Sequence, residues 1–190
     1  MARRLILASA SPRRSELLRS AGFTFDVFPA DVEESPHPGE SPETYTRRVA
    51  LDKARHALGR LPDRSATVIA ADTEVVTAGR VLGKPADAAD AAAMLRLLSA
   101  AAHDVLTAVV ICASGRELID VVTTRVWFVA MSDAEIDWYV STGEPHGKAG
   151  AYAIQGHGAR FIERIDGSWS NVVGLPIHTV HRLLRQLAVR

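Results

Sequence analysis

A chain of 190 residues, 47% apolar and 23% charged, has ordinary globular composition and enough length for a single domain with a substantial core. Its 22 basic and 22 acidic side chains cancel, which excludes an overall field drawing it to a nucleic acid polymer or an acidic membrane surface, so any anion site must be local. One cysteine, Cys112, excludes an intramolecular disulfide, and no apolar run approaches the ~20 residues of a membrane span or the ~7 to 15 of a signal peptide, so cytoplasm is the default compartment.

Leu5 to Ala8 reads as a short buried strand. Pro12 to Ala21 reads as a helix with Leu17 and Leu18 inward, capped by Ser11 and stopped by Gly22. Arg13 and Arg14 fall in its first turn, where exposed N–H groups and partial positive charge favour acids. A serine hydroxyl and two guanidinium forks at a helix start suit a polyphosphate, although solvated arginines beside a plain cap account for the stretch equally well. Phe23 to Val32 alternates as a strand and leads into a Pro-rich loop that opens on Glu33 and Glu34.

Ser41 caps and Pro42 opens a helix that continues to about Leu58, with Tyr45, Val49 and Ala50 inward and Lys53 one turn later. Thr67 to Ala71 is an apolar strand leading into Asp72 and Thr73, after which Glu74 to Val76 and Arg80 to Leu82 flank a hairpin turn and Lys84 follows. Asp72 is thus expected at the end of a buried strand. A carboxylate there is a base, a metal ligand or the partner of a turn or a lysine. Adjacent Glu33 and Glu34 are ordinarily solvated.

Ala88 to Leu98 is a helix burying Ala91, Met94, Leu95 and Leu98, followed by strands near Asp104 to Ala113 and Asp120 to Ala130 that should pair antiparallel. Ser132 to Glu135 is a capping box opening a helix that buries Ile136, Tyr139 and Val140 and ends at Gly143. Gly147, Gly150, Gly156 and Gly158 then make a loop able to bring backbone close to a ligand. Phe161 to Ile165 reads as a strand, and Leu175 and Pro176 open a last helix burying Val180, Leu183, Leu184 and Leu187. The mixture predicts an α/β fold with a mixed twisted sheet, ligands lying beyond strand ends.

His178 and His181 lie three apart without a third ligand at zinc spacing, and Cys112 sits inside an apolar strand as a small core residue. Four stretches carry more: ASASPRRSELL, ADTEVV with GKP, GEPHGKAGAYAIQG, and GSWSNVVGLP. In this order they resemble the Maf nucleoside triphosphate pyrophosphatases, from about residue 4 to 185. The resemblance implies a Maf/inosine-triphosphatase-like α/β fold with flanking helices, two lobes around a central cleft, and one such domain over residues 1–190. It implies hydrolysis of a nucleoside triphosphate to monophosphate and pyrophosphate with a divalent cation, magnesium or manganese.

Carried onto matching positions, the resemblance makes Asp72 the general base, and Arg13, Thr73 and Gln155 the specificity residues. Ser11, Arg13, Lys53 and Lys84 would bind phosphate, and Glu33 with Asp72 would hold metal. The I-Q-G version of the pattern is similar to the branch acting on dTTP and UTP. A glutamine amide offers both a donor and an acceptor to the O4 and N3–H edge of uracil or thymine. The alternatives are a 7-methyl-GTP pyrophosphatase, which Gln155 disfavours, and a non-catalytic nucleotide-binding regulator of cell division, since the family is linked to septum formation. Oligomeric state is open, a homodimer being among the options. Glu74 stands where the pattern commonly has an apolar residue, Gly147 where it has aspartate, and Leu98 to His103 lacks the usual L-S-G.

Overall fold

The computed structural model describes residues 4–63 and 65–188. The longer helices begin where a side-chain cap or a proline start precedes an apolar stripe. Ser41 accepts a hydrogen bond from Thr44 N at the start of α2 (Pro42–Arg60), and Asp87 accepts one from Asp90 N at the start of α3 (Ala88–Leu98). The capping box at Ser132 and Glu135 is complete and opens α4 (Asp133–Ser141). The N-terminal helix α1 spans Pro12–Ser20, and a short α5 (Trp169–Val173) precedes α6 (Ile177–Ala188). Helix α5 was not expected, because five residues are too few to show a helical period. Met94, Val140, Leu184 and Leu187, expected in the core, are only half-buried.

Seven strands form one mixed sheet: β1 (Leu5–Leu7), β2 (Asp26–Val27), β3 (Thr67–Thr77), β4 (Arg80–Leu82), β5 (Ala102–Ala113), β6 (Arg116–Phe128) and β7 (Ile162–Asp166). Their order is β2-β1-β3-β5-β6-β7, with β4 paired to β3. Strand β1 runs parallel to both β2 and β3, whereas β4 and β7 pair antiparallel with β3 and β6. Ser114 and Gly115, with φ of 52° and 73°, make the two-residue turn between neighbouring β5 and β6, as an antiparallel pair requires.

Two expectations change. The strand expected over Phe23 to Val32 shrinks to Asp26–Val27, because its one sheet neighbour, β1, is itself only Leu5–Leu7; the pairing closes with Phe28 N donating to Leu7 O. Strand β3 does not stop at Ala71: it continues through Thr77, so Asp72 lies in mid-strand.

Two compact units divide the chain. One comprises the residues up to Asp72, Thr107–Val122 and those from Gly174 onward; the other comprises Thr73–Leu106 and Thr123–Val173. In the first, Ile6, Ala8, Val68, Ala70, Ala108, Val110 and Cys112 share a core with Ala50, Ala54 and Ala57 of α2. Every second strand residue takes part, as the pleat dictates, and small alanines let the helix lie close on the sheet. In the second, Leu95 and Leu98 of α3 and Ile136 and Tyr139 of α4 share a core with Val126, Phe128, Tyr152 and Phe161. Among the described residues no helix is long and apolar enough to cross a membrane.

Candidate active site

Asp72 continues the two-residue period of Val68 and Ala70, so its side chain issues on the face that α2 covers. Lys53 lies on the buried stripe of α2, between Ala50 and Ala57. Two charges therefore enter an otherwise apolar contact, and they meet there. Lys53 Nζ donates to Asp72 Oδ1 at 2.7 Å, with the two side chains 9% and 7% exposed. Glu34 Oε1 lies 2.6 Å from the same Nζ, its side chain 39% exposed and so on the solvent side of the cluster.

Asp72 Oδ2 is buried and has no hydrogen-bond partner among the described residues. A bare carboxylate oxygen away from water is costly, and its retention marks a place where a water, a cation or a proton is received. Mid-strand placement, with Ala71 and Thr73 also within β3, fixes the backbone from which this carboxylate projects.

Of the adjacent acids it is Glu34 that reaches Lys53, while Glu33, the one named as a metal ligand, is exposed. The loop is fastened to α2 by Tyr45 Oη donating to Glu34 O at 2.8 Å and Arg48 Nη2 donating to Ser35 O at 2.9 Å. Arg48 also grips Glu40 through Nε and Nη2, and this pairing with the His37 N–H holds the Glu40 carboxyl down to about 2. Among the described residues no three His, Cys, Asp or Glu side chains gather closely enough to hold a metal by themselves.

At the start of α1, Ser11 takes the N-cap position with extended backbone, but its side chain makes no capping hydrogen bond. Ser9, which the sequence reading passed over, accepts from Ser11 N at 3.2 Å and from Arg14 Nη1 at 3.1 Å, while Arg14 Nε donates to Gly174 O at 2.8 Å. The two arginines thus differ in role. Arg14 is built into the protein. Arg13 is half-buried and hydrogen-bonds no described residue, and desolvation lowers its pKa against the weaker opposing effect of Glu16. A desolvated guanidinium beside an uncapped helix start suits an anionic ligand.

The remaining candidates belong to the second unit. Thr73 follows Asp72 on β3 half-buried, and exposed Lys84 follows β4. Gln155 has extended backbone, with φ −87° and ψ 150°, and its half-buried amide hydrogen-bonds no described residue. Around it, Tyr139 Oη donates to Glu144 Oε1 at 2.7 Å, and Glu144 accepts from the N–H groups of His157 and Gly158. Sequence reading placed Tyr139 in the core and missed this partnership, for which only the recurrence of glycine at Gly156 and Gly158 was a signal.

The departures noted in the sequence have simple places. Glu74 is buried in β3. Gly147 is exposed with φ 69°, a conformation that asparagine, aspartate and glycine tolerate best. Lys148 Nζ donates to Glu144 O, so its direction is set without a side chain at position 147.

A family model described as "Maf-like protein" matches residues 4–187. A protein of Anaeromyxobacter dehalogenans named dTTP/UTP pyrophosphatase is 55% identical over 98% of this chain and 95% of its own length. Proteins of the same name from Koribacter versatilis and Hydrogenovibrio crunogenus are 51% and 45% identical, covering 97% and 98% of this chain and 95% and 97% of their own.

Proposed function

The chain belongs to the Maf family, and from that membership we propose that it is a pyrophosphatase of dTTP and UTP, releasing the nucleoside monophosphate and pyrophosphate. The observation that carries the reading is the buried Lys53–Asp72 pair with one carboxylate oxygen left open, in a chain similar to dTTP/UTP pyrophosphatases over nearly its whole length.

A water attacks the α-phosphorus, the bond to the oxygen bridging α- and β-phosphorus breaks, and pyrophosphate leaves. Asp72 takes the water's proton on Oδ2, the oxygen that Lys53 does not occupy. Lys53 fixes the carboxylate through Oδ1 and is itself steadied by Glu34. Arg13, Ser11 and Lys84 take phosphate oxygens, and fixed cations at the leaving group act mainly by electrostatic stabilisation of its growing charge. Gln155 pairs through its amide with the O4 and N3–H edge of the base, and Arg13 and Thr73 complete the selection.

The residues fit a divalent cation such as magnesium or manganese. An ion of this kind is characteristically held by one or two carboxylates together with the substrate's phosphates, and Asp72 Oδ2 is a buried oxygen with no donor on it. Asp72 and Glu33 would hold it, and when bound it neutralises charge on the triphosphate. The compartment we infer is the cytoplasm, in keeping with Cys112 as a buried, unpaired thiol.

Pyrophosphate release from UTP with magnesium in excess tests the assignment. Asp72→Asn should lower kcat by roughly 10²-fold or more. Turnover near that of the unaltered protein would overturn Asp72 as the base.

A further inference from the structure

The 153–158 segment carries Gln155 at its centre, and the backbone on both sides of that residue is tied to one pair of side chains. Ahead of it, Ala153 N donates to Tyr139 Oη at 3.2 Å. Beyond it, His157 N donates to Glu144 Oε2 and Gly158 N to Glu144 Oε1, each at 2.9 Å. The phenol closes the arrangement by donating to Glu144 Oε1 at 2.7 Å. Tyr139 is fully buried on α4, and Glu144 follows it directly after that helix ends.

The seat is cut to the carboxylate. A Cβ at Gly156, where φ is 76°, would run into Glu144 Oε2, and one at Gly158 would run into the backbone oxygen of Ala153 and lie 2.6 Å from Tyr139 Oη. Both glycines therefore have a stereochemical reason to be there, which at Gly156 is access to the carboxylate and at Gly158 is close approach to both the Ala153 backbone and the phenol. Burial opposes ionisation of Glu144, yet the hydrogen bonds from His157 N, Tyr139 Oη and Gly158 N hold its carboxyl below the usual value, so it remains an acceptor on every side. Desolvation pushes the Tyr139 phenol upward, so it remains a donor.

We propose that Tyr139 and Glu144 are positioning residues for base selection: they clamp the segment on either side of Gln155 and so determine where its unpartnered amide stands. The proposal rests on the reading of Gln155 as the group that recognises the base. Neither clamp residue touches substrate. Their contribution is to fix the backbone from which Gln155 reaches the base, so that its amide meets a uracil edge without first having to order the segment that carries it.

The test measures kcat and KM for UTP and for CTP with the intact chain and magnesium, in the unaltered protein, Gln155→Ala, Glu144→Gln, Tyr139→Phe, and the last two combined. Glu144→Gln puts an amide NH2 where a backbone N–H needs an acceptor. The preference for UTP, as a ratio of kcat/KM values, should fall at least about tenfold, mainly through KM for UTP. Tyr139→Phe keeps the ring in the core and should give a smaller fall, and the double variant should do no worse than Glu144→Gln, as expected of residues acting as one unit. Inorganic tripolyphosphate, which has no base, should inhibit all the variants equally well.

A preference within about twofold of the unaltered protein in both Glu144→Gln and Tyr139→Phe, while Gln155→Ala abolishes it, would overturn the clamp and leave the role of Gln155 standing. An equal weakening of tripolyphosphate would also overturn it, showing general disruption instead. If Gln155→Ala itself keeps the preference, the underlying reading of Gln155 fails, and the clamp as a selectivity device fails with it. Should Glu144→Gln not fold, Tyr139→Phe decides alone.

Discussion

Lys53 is the residue whose chemistry fits its surroundings least, since α2 buries it among alanines and only carboxylates compensate it. Removing one member of such a pair strands the other charge, whereas removing both replaces an ion pair with packing. Lys53→Met should therefore destabilise the protein by about 3 kcal/mol, and Lys53→Met with Asp72→Leu should recover most of that loss while having no detectable activity. Urea midpoints of the single and double variants check this; a loss below about 1 kcal/mol for Lys53→Met would mean the pair is effectively solvated. The pair was partly legible beforehand, because Lys53 is in phase with Ala50 and Ala57, and Asp72 with Val68 and Ala70. Phase says that each points inward from its own element; it does not say that they share an interface or that they touch. Nor does phase separate Glu33 from Glu34, because neighbours on an irregular loop follow no period, and it is the Tyr45 hydroxyl on Glu34 O that settles which carboxylate meets the lysine.

At the scale of elements, the helices were the most readable, since caps and apolar stripes act within one or two turns of the chain. Strands were read less well where a ladder outlasted its apolar signal: β3 runs on through Asp72, Thr73 and Glu74 because its neighbours supply the hydrogen bonds. The turn between β3 and β4 also shows a local compromise. Ala78 and Gly79 have φ of 47° and 74°, the signs that a tight antiparallel hairpin needs, although alanine pays a steric penalty there. Ala78→Asn should accordingly stabilise the protein by about 0.5 kcal/mol, read as a higher urea midpoint with an unchanged slope. A lower midpoint would show that something other than the turn depends on Ala78.

For the molecule as a whole, a buried histidine of the second unit contributes to the pH dependence of stability. His103 Nε2 lies 2.8 Å from Tyr152 Oη, its Nδ1 has no partner among the described residues, and its ring packs edge-on against Phe128 and Tyr152. Desolvation lowers its pKa from 6.5 to about 4. Between those values the unfolded chain binds the proton and the folded protein does not, so the contribution is complete above pH 6.5, falls as pH drops, and is gone below about 4. The loss is about 3 kcal/mol across that window. His103→Phe should flatten this part of the stability profile while costing some stability at pH 8, where Tyr152 loses its partner; an unchanged acid slope would assign the effect to other groups.

The amino-acid sequence by itself determined the longer helices, the caps of α2 and α4, the α/β class and the candidate residues, because these rest on interactions between near neighbours and on motifs several residues long. Tertiary structure alone decided that Asp72 stands in mid-strand with one oxygen bare, that Arg14 is committed to Ser9 and Gly174 while Arg13 is left open, and that Tyr139 and Glu144 hold the backbone around Gln155. Those outcomes depend on contacts between distant segments, where the cost of burying each polar group is set by whichever partner the fold brings to it.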